Sequence, residues 1–169
     1  MSKRALKQYL NSLEKEELES QILDLYGRFK EVKTFYDFVF NPNEEKLVQE
    51  AKFKISREYF PERRKRAKAR RSIAQKYIKH FRKLEMDPVM LADLMLYNIE
   101  IAQAFSADKE VKESFTRSIF KSFEEAVHFV LQHNLQDEFL TRMHKIEKNI
   151  KEQYWPNSYQ FEKLMHQFQ

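Results

Sequence analysis

The sequence predicts an all-α fold, with a single domain (residues 1–169) of eight or nine mostly antiparallel helices around one central apolar helix. Glycine occurs once, at Gly27, and proline four times, whereas sheet proteins need glycine for turns with positive φ. Leu, Lys, Glu, Gln and Ala, which favour helix, recur throughout. Along most segments the apolar residues are spaced by three and four positions, which places them on one face of a helix.

The first four helices are predicted from this spacing and from proline stops. We expect them at residues 3–10, 14–29, 32–40 and 43–59. The second helix carries one apolar stripe, formed by Leu18, Ile22, Leu25 and Phe29. Pro42 ends the third helix and Pro61 ends the fourth, because proline disfavours helical backbone in the residue before it.

The fifth helix is predicted to begin at Ser72, after an exposed basic segment at about residues 62–71. Extending its apolar face backward would place Arg63, Arg66 and Arg70 on the buried side. A buried face would not hold three arginines. Ser72 and Gln75 have the spacing of a capping box, which supports a start at Ser72. The basic segment should therefore lie outside the core, as a loop or a loose turn.

The sixth helix, at about residues 88–105, is predicted to be the centre of the fold. Asp87 and Pro88 form a helix start, with an aspartate cap followed by proline at the first position. The helix is apolar on most of its sides, which is typical of a buried helix. Three more helices are expected at residues 108–132, 136–154 and 159–168. The short linkers favour antiparallel neighbours.

Composition excludes several classes of protein. There is no cysteine, which excludes disulfides, thiol nucleophiles and cysteine-ligated metals and fits a reducing compartment. One glycine cannot provide a Gly-rich dinucleotide loop or a Walker-type phosphate loop. The basic first residues have no apolar stretch behind them, and the most apolar run is too short to span a bilayer. We expect a soluble, cytoplasmic protein that does not contact membranes.

Three stretches in this order resemble a bacterial family catalogued as domain of unknown function six-one-five-five. They are LKQYLNSLEKEELESQILDLYGRFKEVKTFY, SIAQKYIKHFRKLEMDPVMLADLMLYNIE and FTRSIFKSFEEAVHFV. The resemblance covers most of the chain and consists of helix patterns. It implies a helical domain and no particular activity. The first stretch alone also resembles helix-extended-helix nucleic-acid modules.

The strongest functional signal is a concentration of positive charge. Residues 54–83 contain thirteen Lys and Arg and two Glu, a net charge of +11, whereas the whole chain is +5 and the remainder is therefore −6. Such asymmetry indicates a polyanionic partner. The candidate binding residues are Arg63, Arg64, Lys65, Arg66, Lys68, Arg70 and Arg71. Alternatively, the acidic helices of the chain itself neutralise this segment.

Candidates for catalysis are fewer. Asp93 and Glu100 lie on the apolar sixth helix, where burial would raise a carboxylate pKa, although buried carboxylates also serve as structural partners of Lys or Arg. Glu125 and His128 have the Glu-x-x-His spacing of di-iron bundles, but such a site needs a second motif and two further glutamates. We assign no catalytic residue, no metal ligand and no cofactor.

Three functions remain open from the sequence. The first is a non-enzymatic interaction module that uses residues 54–83 to contact an acidic protein partner. The second is a nucleic-acid-binding domain that uses the same residues without sequence preference. The third is a helical-bundle enzyme with a buried carboxylate or metal site. The oligomeric state is not predicted.

Overall fold

The computed structural model describes residues 2–62, 66–107 and 109–168. These residues contain nine α-helices and no strand, so the predicted all-α class is confirmed. The helices are α1 (Lys3–Leu10), α2 (Lys15–Arg28), α3 (Lys30–Phe40), α4 (Glu44–Tyr59), α5 (Arg71–Lys83), α6 (Pro88–Ser106), α7 (Glu113–Gln132), α8 (Gln136–Glu152) and α9 (Ser158–Met165). A 3₁₀ turn, His166–Phe168, follows α9. Their contacts define an amino-terminal unit, Met1–Asn43, and a carboxy-terminal unit, Glu44–Gln169.

The amino-terminal unit is a small three-helix assembly. The side chain of Gln21 on α2 donates a hydrogen bond to the hydroxyl of Tyr9 on α1, with 2.7 Å between the two atoms. Between α2 and α3, the ring of Tyr26 meets the edge of Tyr36, and the Tyr26 hydroxyl donates to Asp37 at 2.8 Å. None of the described residues in this unit is buried. The unit is therefore held by partly exposed aromatic contacts.

In the carboxy-terminal unit, five helices pack around or beside α6. Helices α4, α5, α7 and α8 all contact it, and α9 packs on α7 and α8. The largest fully buried side chains are Tyr59, Phe81, Phe123, Phe161, Ile55, Leu91, Leu94, Met95, Leu96, Ile99, Ile119 and Met143. Five of these twelve lie on α6, so the structure confirms its predicted central position.

Helices α4, α6 and α8 run in one direction. Glu44, at the start of α4, accepts a hydrogen bond from the backbone N–H of Asp87, just before α6, and Tyr59, at the end of α4, packs against Phe105, near the end of α6. Helices α5 and α7 run in the opposite direction, since their last turns lie with the first turn of α6 around one cleft. From α4 to α8, consecutive helices are thus antiparallel, as the short linkers predict.

The ends of α5, α7 and α8 share one unusual geometry. Each is followed by a non-glycine residue with left-handed backbone: Glu85 (φ 55°), Asn134 (φ 56°) and Tyr154 (φ 54°). The next residue in each case donates its N–H to a carbonyl in the last turn: Met86 to Phe81, Leu135 to Val130 and Trp155 to Ile150, at 3.0–3.3 Å. This is the Schellman motif, which normally has glycine at the left-handed position. Met86 and Trp155 are buried.

Two predicted helix starts are wrong. Helix α5 begins at Arg71 and not at Ser72, and Gln75 binds Glu125 of α7 instead of completing a capping box. A tertiary contact thus replaces the local cap. Helix α7 begins at Glu113, five residues later than expected, because Lys112 has extended backbone. The predicted start at Asp108 lies outside the described residues. The start of α6 is as predicted, since Asp87 accepts hydrogen bonds from the N–H groups of Val89 and Met90.

In the described part of the chain, every helix is too short or too polar to cross a membrane.

Candidate interaction surface

Residues 66–71 of the basic segment lead into α5 and are hydrogen-bonded to the end of α4. The backbone N–H groups of Lys68 and Ala69 both donate to the carbonyl of Glu58, at 3.1 and 3.0 Å. Ala69 has left-handed backbone, with φ 48°, which allows the chain to turn back toward α4. Arg63, Arg64 and Lys65 lie outside the described residues.

Arg70 is neutralised by the protein itself. Its guanidinium makes two parallel hydrogen bonds to the carboxylate of Glu58, at 2.8 and 2.9 Å, which is the strongest geometry for this pair. Hydrogen bonding from Arg70 lowers the pKa of Glu58 despite partial burial of the carboxylate. Glu58 is therefore ionised at neutral pH, and little of the charge of Arg70 is left for a partner.

Arg71 is also engaged, and its predicted place outside the core is wrong. It is the first residue of α5 and contacts α7, where its guanidinium donates to the hydroxyl of Ser122 at 2.7 Å and to Glu125 at 2.5 Å. Only 24% of the Arg71 side chain is exposed. Arg71 can be mostly buried because Glu125 of α7 provides a carboxylate that pairs with its charge.

Arg66 and Lys68 remain exposed. They line two neighbouring clefts, of about 230 and 440 Å³. The first cleft also contains Glu58 and Glu62, and Glu62 is paired with Arg57 at 3.1 Å. No ion pair joins Arg66 or Lys68 to another residue within the ranges that the structure describes. This part of the surface is thus mixed in charge.

Aromatic rings line or underlie the larger cleft. Phe105 and Phe115 line it, and Tyr59 packs on both rings from the buried side. The ammonium group of Lys109 lies 4.1 Å from the centre of the Phe105 ring, within the range of a cation–π contact. Burial raises the pKa of Tyr59 to about 12. Its hydroxyl is therefore neutral at physiological pH and cannot serve as a base.

Helix α5 carries an exposed basic face. Lys76, Lys79 and Lys83 are spaced by three and four residues, so they lie on one side of the helix, opposite the buried Ala74 and Ile78. We call these three residues the lysine face. None of them forms an ion pair with a residue that the structure describes. All three lie in the predicted basic region, residues 54–83, but none is among the seven predicted binding residues. Their spacing in the sequence already predicts that they share one face of the helix.

The two carboxylates on α6 are structural partners of cations, the second of the two roles considered for them. Arg142 of α8 donates to both carboxylates, with distances of 2.6 Å to Asp93 and 2.6 and 2.7 Å to Glu100. Lys52 of α4 is 2.5 Å from the other oxygen of Asp93. Together these four residues are the Arg142 network. It joins α4, α6 and α8 in one partly exposed cluster of ion pairs.

The other role considered, a carboxylate whose pKa is raised by burial, does not apply to Asp93. Burial acts in that direction, but hydrogen bonds from Lys52 and Arg142 outweigh it, and the pKa is lowered. At neutral pH Asp93 is thus a charged ion-pair partner and not a general acid. Glu125 of the Glu-x-x-His motif is engaged by Arg71 and Gln75. Among the described residues, no cluster of three His, Asp or Glu could hold a metal ion.

The lowered pKa of Asp93 predicts how acid affects stability. Its ionised form contributes stability at pH values above its ordinary pKa of 3.8, and this contribution is lost as the pH falls through the lower value of the folded state. We expect D93N to lose less unfolding free energy than the unmodified chain between pH 5 and pH 2.5, measured by urea denaturation. D137N, which changes an exposed aspartate of α8, is the matched control. Equal losses in D93N and the unmodified chain would contradict the prediction.

Comparisons with known proteins agree with the sequence resemblance. No curated protein matches the chain, and no solved structure does. One family model matches residues 1–169, the whole chain, and its description is a family of unknown function. The chain therefore belongs to that family, DUF6155.

Proposed function

We propose that this chain is a non-enzymatic interaction domain that binds an acidic surface of a partner protein through its basic region. The proposal rests on one observation above all, that the lysine face (Lys76, Lys79, Lys83) is exposed and has no ion-pair partner among the described residues. Arg66 and Lys68 add two further exposed cations on the segment before α5. Five positive charges are thus available to a partner.

The distribution of charge favours a protein partner over a nucleic acid. Glu58 and Glu62 lie among the basic residues, so a phosphate backbone following this surface would meet carboxylates. Glu58 and Glu125 neutralise Arg70 and Arg71, and these arginines would otherwise have provided bidentate phosphate contacts. A protein surface can place acidic side chains against the lysines and neutral or basic side chains against the part that contains Glu58 and Glu62.

Exposed aromatic surface beside the basic residues supports the same proposal. Phe60 is 45% exposed and packs edge-on against Phe105, which lines the larger cleft. Protein interfaces combine aromatic residues with charged groups that fix orientation and increase the association rate. An acidic segment that also carries apolar side chains would match both parts of this surface.

Substitution of the lysine face provides the test. In K76Q/K79Q/K83Q we expect at least a tenfold rise in Kd for a fluorescein-labelled twenty-residue polyglutamate peptide, measured by anisotropy at low salt. The control is K121Q/K145Q/K163Q, which removes the same net charge from three exposed lysines elsewhere in the carboxy-terminal unit. We expect less than a twofold change in the control and unchanged melting temperatures in both variants.

A labelled duplex and a single-stranded oligonucleotide distinguish the alternative partner. If all five cations met phosphates on a duplex, log K would fall with log salt at a slope of about −4.5, from about −0.9 per contact. Duplex binding with that slope, tighter than peptide binding and lost in K76Q/K79Q/K83Q, would replace the proposal with nucleic-acid binding. If no probe binds at low salt, or if both lysine variants behave alike, the surface has been assigned wrongly.

A further inference from the structure

The amino-terminal unit exposes far more apolar surface than its size would suggest. It holds nine of the thirteen large hydrophobic residues that are exposed in the described chain. These nine are Leu6, Tyr9, Leu10, Ile22, Leu23, Leu25, Phe29, Val39 and Phe40. Because monomeric proteins rarely expose large contiguous apolar patches, a concentration of this kind marks an interaction surface.

Part of this surface is organised as a stripe on α2. Leu18, Ile22, Leu25 and Phe29 lie on one face of the helix and its end, as the sequence predicts, but the last three are exposed. On α1, Leu6 and Leu10 lie one turn apart and are also exposed. Amphipathic helices of this kind derive most of their stability from covering the apolar face. Within the amino-terminal unit these faces are only partly covered, since 36–47% of each of these five residues is exposed.

The exposed apolar area of α1 and α2 is of the size that a specific dimer needs. With about 200 Å² for a fully exposed large side chain, the five residues of these two faces (Leu6, Leu10, Ile22, Leu25 and Phe29) present on the order of 400 Å² in one copy. A standard specific interface buries about 800 Å² on each partner, and somewhat more than half of that area is apolar. Polar and charged groups around the two faces would supply the rest.

The charges of the amino-terminal unit complement one another between copies. Residues 1–13 carry three basic side chains and no acidic one, residues 14–24 carry five acidic side chains and one basic one, and the whole of residues 1–43 contains seven of each sign. A unit with no net charge meets a second copy without net repulsion. In a two-fold interface, the basic α1 of each copy can contact the acidic start of α2 in the other copy.

We propose that this chain forms a homodimer through its amino-terminal unit, with the apolar faces of α1 and α2 at the centre of the interface. This contact does not involve the lysine face. The proposal therefore does not depend on the proposed binding of an acidic partner. It gives the uncovered apolar faces a specific occupant, a second copy of the chain.

Sedimentation velocity of the full chain between 1 and 100 µM, in 0.15 M salt, tests the proposal. We expect a dimer at the upper concentration for the unmodified chain, and a shift of at least tenfold in the dimer dissociation constant for L25Q/F29Q. Because both side chains are exposed in the single chain, this variant should keep the far-UV circular dichroism spectrum of the unmodified chain when both are monomeric. The control is Y154Q/Y159Q, which changes two exposed aromatic residues of the carboxy-terminal unit.

The outcomes separate the proposal from its alternatives. A dimer that L25Q/F29Q weakens and Y154Q/Y159Q does not, with the helix content of all three proteins equal, supports it. An unmodified chain that stays monomeric at 100 µM overturns it and assigns the apolar faces to another occupant. A dimer that Y154Q/Y159Q disrupts while L25Q/F29Q does not also overturns it, since the contact would then lie in the other unit.

Discussion

Substitution L94A is expected to lower the free energy of unfolding by about 2–5 kcal/mol. Leu94 is completely buried on α6, and this helix contacts four others. Removing three side-chain carbons from a close-packed interior loses their burial and leaves a cavity that the surrounding helices fill only in part. The complete burial of Leu94 on a helix that contacts four others places the effect toward the upper end.

Urea denaturation followed by circular dichroism measures this effect. K121A is the matched control, since Lys121 is exposed on α7 and its substitution should change stability by less than about 0.5 kcal/mol. Lys109 is a poorer control, because its ammonium group contacts the ring of Phe105. If L94A and K121A shift the denaturation midpoint equally, α6 is not the centre of the fold.

Removal of Arg142 is expected to have the second largest effect, a loss of about 2 kcal/mol in R142M. The substitution leaves Glu100 without the guanidinium that binds both of its oxygens, and Asp93 with Lys52 alone. Leaving partly buried charges without their hydrogen-bond donors costs more than the pair itself contributes. Because about a third of Glu100 and slightly less of Asp93 are exposed, water recovers part of the loss.

R117M provides a matched comparison. Arg117 also binds a carboxylate, that of Glu113 one turn earlier, but both side chains are well exposed. Exposed pairs at this spacing contribute about 0.3–0.5 kcal/mol. We expect R142M to be clearly less stable than R117M in thermal and urea denaturation at pH 7. Equal stabilities would mean that the Arg142 network contributes nothing beyond a surface pair.

The sequence was sufficient for the features that depend on neighbouring residues. The start of α6 follows from Asp87 and Pro88, where the carboxylate accepts two backbone N–H groups and the proline needs none. The ends of α3 and α4 follow from Pro42 and Pro61. The central position of α6 follows from its lack of a polar side. Each of these signals lies within a few residues of the structure that it specifies.

The features that the sequence did not reveal depend on residues far apart in the chain. The helix face alone predicts an exposed Arg71, because its partner Glu125 lies 54 positions later in the sequence. For Asp93 the sequence allows both a raised pKa and pairing with a Lys or Arg, and it does not identify the partner, because Arg142 lies 49 positions away. A spacing pattern shows which side chains share a face, but not which element covers that face.

The ends of α5, α7 and α8 show a consequence of having a single glycine. Glu85, Asn134 and Tyr154 take left-handed backbone, which costs about 1–2 kcal/mol for a residue with a Cβ atom, and in two of the three the following residue, Met86 or Trp155, is buried. Asparagine tolerates this conformation better than other residues with a Cβ atom, so the cost is greatest at Glu85 and Tyr154, where burial of the next side chain in the core offsets it. Helix length and core formation are then one cooperative event. Before the core assembles, the ends of α5 and α8 should therefore be less sharply defined than in the folded chain, because burial of Met86 and Trp155 helps to fix them.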